Sequence, residues 1–276
     1  MPTIEVARLR HVDAVLNYLD DAAPPLPYTI TAAAGPERRQ AGTVKHTVRI
    51  FDVRDSAIAP TLDDNGFTYL RQRSEVQDFF DPAGVTGDYY GECIDLVRRA
   101  TGAPRVFAFD HNLRDKSLAR VPNSTVREPV RYVHNDYTKR SAPQRVRDLL
   151  PAAAGEAAVA RRFMFINVWR PIRGPVEDVP LAVCDASSLL DADFVATELQ
   201  YSERTGEVYS VRFNPAHRWF YQSRMRADEV LLLKCFDAAE DGRARYTAHC
   251  AFHDPDAPPN PVPRRSIEVR TMALFD

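Results

Sequence analysis

Residues 131–140, RYVHNDYTKR, form the stretch around which this chain is organised. We predict a β-strand over residues 130–133, which places His134 and Asp136 at its end. Side chains two positions apart in an extended chain project to the same side, so an imidazole and a carboxylate can bind one metal ion here. A second histidine would complete the two-histidine, one-carboxylate set that leaves open positions on Fe(II) for a cosubstrate and dioxygen.

A His-x-Asp sequence is short and also occurs by chance, so a surface pair or a hydrogen-bonded turn is the simpler interpretation of residues 134–136 alone. The metal hypothesis therefore needs another histidine. His217 precedes a predicted strand, His253 adjoins Asp254, and His249 lies inside a predicted strand over 246–252. We favour His249 because of the residues that follow it.

Arg264 and Ser266 stand at the start of the last predicted strand, two positions apart and on one face. A guanidinium forks onto a carboxylate, and a hydroxyl adds a third hydrogen bond. This pair suits the far carboxylate of 2-oxoglutarate, whose keto acid end would chelate the metal. Arg270 shares the same strand face and remains an alternative anchor.

Composition places few limits on function. The length of 276 residues fits one large domain. We predict a single domain over 1–276, with an N-terminal extension over 1–43 and a β core over about 105–275. The net charge of −2 gives no reason to expect nucleic acid or an anionic membrane as a partner. Four scattered cysteines, no long apolar segment at the N-terminus and no run near ~20 apolar residues predict a cytoplasmic protein with reduced thiols.

Hydrophobic periodicity predicts a chain that is richer in strands than in helices. Short β-branched and aromatic runs, separated by proline-bearing turns, predict strands over 44–53, 105–110, 163–169, 181–184, 208–213, 219–223, 230–236, 246–252 and 266–275. Helices are expected over 12–19, 74–82, 88–101 and 143–150, the last capped by Ser141, and residues 33–43 form a loop. Late strands at nearly regular spacing are typical of a sandwich or barrel.

Asn167 is the polar exception in the apolar strand FMFINVW, residues 163–169. A buried amide must find hydrogen-bond partners, so this side chain is either a structural bridge or a group that lines a pocket.

The order His134-x-Asp136, His249, Arg264-x-Ser266 resembles that of the Fe(II)/2-oxoglutarate-dependent oxygenases. Three longer blocks resemble one family among them, the AsaB-like hydroxylase/desaturases and the cephalosporin 7α-methoxylation component (CmcJ-like) proteins. These blocks are FINVWRPIRGPVEDVPLAVCD at 165–185, YSVRFNPAHRWFYQSRMRADEVLLLKCFD at 209–237 and RRSIEVR at 264–270. The resemblance covers roughly residues 44–275. It implies a mostly β fold with a double-stranded β-helix (jelly-roll, cupin-like) core and flanking α-helices.

The resemblance implies specific roles for several residues. His134, Asp136 and His249 would bind iron. The resemblance gives Arg264 and Ser266 a cosubstrate role, although residue 265 is an arginine where relatives are expected to have an acidic residue, and Arg270 is the alternative anchor. Asn167 is a further candidate cosubstrate contact because of its polar position in an apolar strand. Independently of the resemblance, Tyr137 and Thr138 are candidate substrate contacts by connectivity to the metal motif. Trp169 and Tyr221 are either core or pocket-lining residues, and Arg170 is either an ion-pair partner or a substrate contact.

The resemblance also implies a reaction. With Fe(II), 2-oxoglutarate and O₂, such an enzyme hydroxylates, desaturates or oxidatively cyclises a small molecule of secondary metabolism, with an amino acid or peptide derivative as the leading class. Two alternatives remain open: a non-catalytic β-barrel partner of a methyltransferase-like enzyme, and a cupin-type metal-dependent isomerase or lyase. The sequence does not fix the oligomeric state.

Overall fold

Two β-sheets make up most of the computed structural model, which describes residues 9–20, 22, 28–29, 42–57, 59–122, 124–200 and 205–276. The larger sheet has nine strands in the order β1-β3-β11-β8-β13-β6-β10-β9-β2, and the smaller has five in the order β4-β12-β7-β14-β5. The strands are β1 (His11–Leu19), β2 (Tyr28–Thr29), β3 (Thr43–Asp52), β4 (Phe67–Arg71), β5 (Arg105–Asp115), β6 (His134–Asn135), β7 (Phe163–Arg173), β8 (Leu181–Cys184), β9 (Phe194–Gln200), β10 (Thr205–Val211), β11 (Trp219–Tyr221), β12 (Glu229–Asp237), β13 (His249–Ala251) and β14 (Arg265–Leu274).

Helices are few and lie before β5 or between β6 and β7. They are α1 (Pro82–Gly84), which continues through a π-helix (Val85–Tyr89) into α2 (Tyr90–Thr101), then α3 (Ser141–Leu149) and α4 (Ala152–Val159), with 3₁₀ turns at Leu118–Arg120, Ala186–Ser188 and Asp191–Asp193. The predicted stop at Gly102 is confirmed, because it takes a left-handed φ of 70° and its N–H bonds to Arg98 O. Within the described ranges, no helix has the length and apolar character needed to cross a membrane.

The main apolar core lies between the two sheets. Phe165, Trp169 and Leu231 of the smaller sheet share a buried cluster with Val183 and Phe220 of the larger one. Successive side chains of a strand alternate between faces. The alternate residues of β7, β12 and β14 therefore turn away from this core, where they pack against α2. Two facing sheets with helices outside confirm the predicted double-stranded β-helix.

The predicted helix over residues 12–19 is wrong, because these residues form strand β1. Val12, Val15, Leu16 and Leu19 fit the spacing of a helical stripe. The observed burial instead follows the strand period: Val12 and Leu16 are buried while Val15 is 47% exposed. β1 pairs antiparallel with β3 along its whole length, and this pairing outweighs the local helical pattern.

β1 also reaches the segment that precedes His134. Asn17 O accepts a hydrogen bond from Val133 N at 2.8 Å, and the Asn17 side chain donates to Arg131 O at 2.5 Å. The large sheet therefore curls back on itself, enclosing a second apolar cluster that includes Leu16 and Trp219. Residues predicted as an N-terminal extension thus form hydrogen bonds with the segment that precedes His134.

Most other predicted elements are confirmed to within a few residues, with several exceptions. Residues 74–81 form no helix, and residues 130–133 form no strand, because Tyr132 makes only an isolated bridge to Asn17 and β6 begins at His134. The helix near residue 143 begins at Ser141, but Thr138 provides its cap, since Thr138 Oγ1 accepts from Arg140 N and Ser141 N. β4 and β9 were not predicted, and all but residues 42–43 of the predicted 33–43 loop lie outside the described residues. The four cysteines are buried and form no disulfide.

The β1 assignment can be tested with one pair of variants. Leu16→Ala should lower the free energy of unfolding by about 2–5 kcal/mol, because its side chain is fully buried. Val15→Ala should cost less than about 1 kcal/mol, since Val15 faces solvent. Equal losses in chemical denaturation would contradict the strand and favour a helix with both residues on its apolar face.

Candidate metal centre

Two histidines meet across neighbouring strands of the larger sheet. His134 on β6 and His249 on β13 are direct partners in an antiparallel pair, although 115 residues separate them in the sequence. Both side chains are buried, and their ring centroids lie 4.3 Å apart. The sheet register thus brings an early and a late imidazole to one point between the sheets.

Asp136 completes the group. Its Oδ1 lies 3.6 Å from His134 Nε2, and one ligand atom from each of Asp136, His134 and His249 falls within 4.8 Å of the others. The other ring nitrogen of His134, Nδ1, is 2.9 Å from Tyr132 O. That backbone carbonyl fixes the ring so that Nε2 points toward the carboxylate, as is usual for a metal-binding histidine.

The charge states of these groups suit a divalent metal ion. Burial and the neighbouring His249 lower the pKa of His134 to about 3, and burial likewise lowers the pKa of His249. Burial alone would raise the pKa of Asp136, but Arg270 and the two histidines outweigh it and hold that pKa well below its usual range. Two neutral imidazoles and one carboxylate are the donor set that non-haem Fe(II) takes on one face. The residues therefore fit the predicted metal.

The two competing histidines take part in other interactions. His217 Nε2 is 3.1 Å from Asp193 Oδ2, and its ring stacks on Tyr18. His253 is mostly exposed and lies 3.5 Å from Asp178. Neither belongs to the cluster, so among the three late histidines only His249 joins His134 and Asp136.

The second oxygen of Asp136 is held by the opposite sheet. Asp136 Oδ2 accepts from Asn167 Nδ2 at 2.8 Å and from Arg270 Nε at 3.2 Å. Asn167 on β7 and Arg270 on β14 are cross-strand partners, so they approach the carboxylate side by side. Of the two roles that the sequence left open for Asn167, the structure places it as a bridge between the sheets. Oδ1 of Asp136 is left to face His134.

Arg270 has little capacity left for an additional anion. Its Nε contacts Asp136, and its Nη1 lies 2.9 Å from Asp110 Oδ2. Asn112, oriented with its oxygen toward the guanidinium, accepts from Nη1 and Nη2 at 2.7 and 3.1 Å. Glu268 Oε1 is 3.7 Å from Nη2. All three guanidinium nitrogens of Arg270 therefore face carboxylate or amide oxygens of the protein.

Arg264 and Ser266, unlike Arg270, have polar atoms without a partner. Both are buried, and the hydroxyl of Ser266 and Nε of Arg264 have no hydrogen-bond partner in the described part of the chain. Arg264 donates from Nη1 to Val179 O at 2.5 Å, and its guanidinium lies 5.4 Å from the Trp169 ring centroid. Burial and the nearby Arg114 lower the pKa of Arg264 to about 9. A bound anion would relieve both the missing hydrogen bonds and the cost of burying this charge.

Three of the residues predicted to contact substrate lie elsewhere. Arg170 follows Trp169 on β7 and so points to the other sheet face, where its guanidinium stacks over Tyr89 and donates to Gln72 O. Tyr221 packs edge-on against Phe252, on the sheet face opposite the metal group. Thr138 donates its hydroxyl hydrogen to Glu207 while capping α3. These side chains are structural because strand alternation and capping direct them away from the site.

Tyr137 and Trp169 do lie near the metal group. Tyr137 stacks on Phe165 with ring centroids 4.3 Å apart and lines a cavity of about 900 Å³ that opens beside Asp136 and Arg270. Trp169 is buried, and the Arg264 guanidinium lies over its ring, 5.4 Å from the ring centroid. A cavity of this volume is within the range of small-molecule sites.

Sequence reasoning missed three polar residues around this site. Asp110 and Asn112 on β5 and Glu268 on β14 all turn toward the metal side. Part of the signal was available, because Asp110, Asn112 and Arg114 occupy alternate positions of β5, with the apolar Phe109 and Leu113 between or beside them. Burial and the neighbouring Asp136 raise the pKa of Glu268.

Comparison with known proteins identifies the family to which this chain belongs. Residues 16–274 match the model of the family described as "Oxidoreductase/YMDC permease-like domain". The Fe(II)/2-oxoglutarate-dependent dioxygenase nvfI of Aspergillus novofumigatus is 33% identical over 257 residues, which is 90% of each chain. The hydroxylase/desaturase efuI of Hormonema carpetanum is 34% identical, with 83% of each chain covered.

Solved structures agree with these relatives. One structure of the iron and alpha-ketoglutarate-dependent endoperoxidase NvfI superposes with a TM-score of 0.82 and 28% identity, covering 98% of this chain and 99% of that one. A second, described as having a different conformation, gives a TM-score of 0.86 over the same shares. This chain belongs to the family of Fe(II)/2-oxoglutarate-dependent oxygenases that includes these fungal hydroxylase/desaturases.

Proposed function

We propose that this chain binds Fe(II) through His134, Asp136 and His249 and uses 2-oxoglutarate and O₂ to oxidise a small molecule of secondary metabolism. The observation that carries this proposal is the register of β6 and β13, which pairs two neutral imidazoles beside an ionised carboxylate. As a family member, the chain is a 2-oxoglutarate-dependent dioxygenase.

The protein residues would fix and shield the metal rather than supply oxidising power, which comes from iron, O₂ and 2-oxoglutarate when they are bound. Tyr132 O holds the ring of His134, while Asn167 and Arg270 hold one oxygen of Asp136. The surrounding aromatic residues, Phe165 and Trp169 among them, limit the access of water. Loss of such an outer contact typically weakens metal binding about 10- to 100-fold.

We assign the distal carboxylate of 2-oxoglutarate to Arg264 and Ser266 rather than to Arg270. The support is the difference in partners: Arg264 Nε and Ser266 Oγ are buried without hydrogen bonds, whereas Arg270 already contacts three acceptor side chains. A forked guanidinium beside a hydroxyl matches a carboxylate. Asn167 acts through Asp136 in this assignment and not on the cosubstrate.

The outcome of the oxidation is hydroxylation, desaturation or ring closure, and an amino acid or peptide derivative is the substrate class we propose first. Relatives carry names for different outcomes, namely hydroxylase/desaturase and endoperoxidase. We also propose that residues 1–276 act as one oxygenase domain in the cytoplasm, with a small-molecule substrate and neither nucleic acid nor membrane as a partner.

Two alternative functions are less well supported. A non-catalytic partner of a methyltransferase-like enzyme would have no use for a buried histidine pair aligned with an ionised aspartate. A cupin-type isomerase or lyase could use that metal group, but it would leave the buried cation Arg264 and the hydroxyl of Ser266 without a role.

The metal assignment predicts a graded loss of iron. His134→Ala, Asp136→Ala and His249→Ala should each abolish Fe(II) binding and turnover while the protein remains folded. Asn167→Ala should weaken Fe(II) binding by about 10- to 100-fold, as for other outer-shell partners. Anaerobic Fe(II) titration with circular dichroism as a folding check measures both effects. His253→Ala is the control, because its ring is exposed and outside the group; iron loss in that variant, but not in His249→Ala, would reassign the third ligand.

The anchor assignment predicts a separation between cosubstrate and metal affinity. Arg264→Ala should weaken 2-oxoglutarate binding about 30-fold or more, since losing one partner of a buried charge pair costs about 2–5 kcal/mol. Arg264→Lys should recover only part of this loss, because it keeps the charge but an ammonium cannot fork. Ser266→Ala should cost at most about 1.5–3 kcal/mol. Fe(II) affinity should change little in all three variants. The anaerobic metal-to-ligand absorption band, titrated with 2-oxoglutarate, reports the binding.

Arg170→Lys is the matched control for the anchor, because Arg170 is as buried as Arg264 but on the other face of β7. It should lower stability and leave 2-oxoglutarate affinity unchanged. If Arg270→Lys weakens 2-oxoglutarate binding more than iron binding while Arg264→Lys has no effect, the anchor is Arg270.

A further inference from the structure

The large cavity beside Asp136 is lined by five carboxylates and five arginines, and the two sets are not fully paired with each other. Four of the carboxylates contact lining arginines: Asp136 and Asp110 contact Arg270, and Glu207 and Glu198 contact Arg140. The fifth, Asp148, accepts a hydrogen bond from Gln144. Among its five arginines, Arg270, Arg140 and Arg147 are in ion pairs with carboxylates. The other two, Arg127 and Arg145, line the cavity and form no ion pair within the described ranges.

Arg145 is the better placed of the two. It projects from the middle of α3, whose buried Ala142 and Val146 fix the orientation of the helix. Its side chain is half-buried, and its guanidinium lies 5.1 Å from the centroid of the Phe109 ring. Stacking on an aromatic face orders a guanidinium and removes part of its water while leaving its edge able to donate. Arg127, in contrast, is exposed at the rim.

Apolar side chains share the cavity with this cation. Phe109, Tyr137, Leu199 and Val208 line it, and Asp136 and Arg270 form the end nearest to the metal group. Arg264 and Ser266 are not among the lining residues, so the proposed 2-oxoglutarate anchor does not account for the charge of Arg145. A ligand that fills the cavity would meet apolar walls, a fixed guanidinium edge and the metal ligand Asp136.

We propose that Arg145 is a substrate anchor and that the substrate is an organic anion, with a carboxylate group on an apolar or aromatic body. The carboxylate accepts two hydrogen bonds from the guanidinium edge, and the body extends over Phe109 and Tyr137 toward Asp136. This inference rests on the proposed oxygenase function, and it adds the charge of the substrate and the residue that recognises it.

The test uses the full chain with Fe(II) and 2-oxoglutarate in the absence of O₂. Phenylbutyrate and octanoate, and the primary amide of each, serve as probes in isothermal titration calorimetry. Wild-type protein should bind each carboxylate more tightly than its amide. Arg145→Gln should weaken carboxylate binding by about 10- to 100-fold, the range for losing hydrogen bonds to a charged group, and should leave amide binding unchanged. Arg145→Lys should retain part of the preference, because it keeps the charge.

Arg161→Gln is the control, since Arg161 is exposed beyond the end of α4 and does not line the cavity. It should bind all four probes as the wild type does. Equal binding of carboxylate and amide by the wild type, or an unchanged preference in Arg145→Gln, would overturn the inference. So would a loss of 2-oxoglutarate affinity in Arg145→Gln, because the residue would then anchor the cosubstrate.

Failure of the proposed function has a different signature. In that case wild-type protein would bind neither Fe(II) nor 2-oxoglutarate, whereas the carboxylate preference and its dependence on Arg145 would still be measurable in metal-free protein.

Discussion

The carboxylate of Asp136 is a buried point at which polar contacts join the two sheets, beside the Asn135 side chain that donates to Cys235 O. The Asp136 carboxylate extends from the end of β6 in the larger sheet and accepts from Asn167 and Arg270 in the smaller one. A buried carboxylate is costly unless it is paired and hydrogen-bonded, so this contact fixes how the sheets face each other. The position of Asp136 relative to His134 and His249 depends on the same contact, and the geometry of the metal group is therefore a property of both sheets together.

Apolar packing and strand pairing make different contributions to the geometry between the sheets. Phe165, Trp169, Val183 and Phe220 form a continuous buried cluster, which supplies most of the driving force for the sheets to associate. Apolar packing is non-directional and tolerates small shifts, whereas the register of His249 opposite His134 tolerates none. Strand pairing therefore sets the site to a precision that the hydrophobic core alone does not provide, and β1 reinforces it by bonding to the segment before His134.

The sequence predicts those parts of the site that depend on short-range pattern. The same-side placement of His134 and Asp136 follows from their spacing alone, and the polar Asn167 in an apolar strand predicts either a bridge or a pocket group, of which the bridge is observed. The choice of His249 over His217 depends on pairing between distant strands, which periodicity does not encode. Arg170 could have been rejected from sequence, since alternation along β7 sets it opposite Asn167 and Trp169. The apolar residues of 12–19 fit both the helical period of 3.6 residues and the strand period of two, and only the pairing with β3 decides between a helix and a strand.

Three buried or half-buried arginines around this site differ mainly in what surrounds them. Arg270 is neutralised by Asp136 and Asp110, so it orients the Asp136 carboxylate and attracts no further anion. Arg264 is buried almost without compensation, and its lowered pKa reflects that cost. Arg145 is half solvated and stacked on Phe109. A guanidinium gains most from an anion when its own partners are missing and its water has been removed. By this criterion the deeply buried Arg264 suits the cosubstrate carboxylate that we assign to it, and the more open position of Arg145 suits the larger substrate that we propose for the cavity.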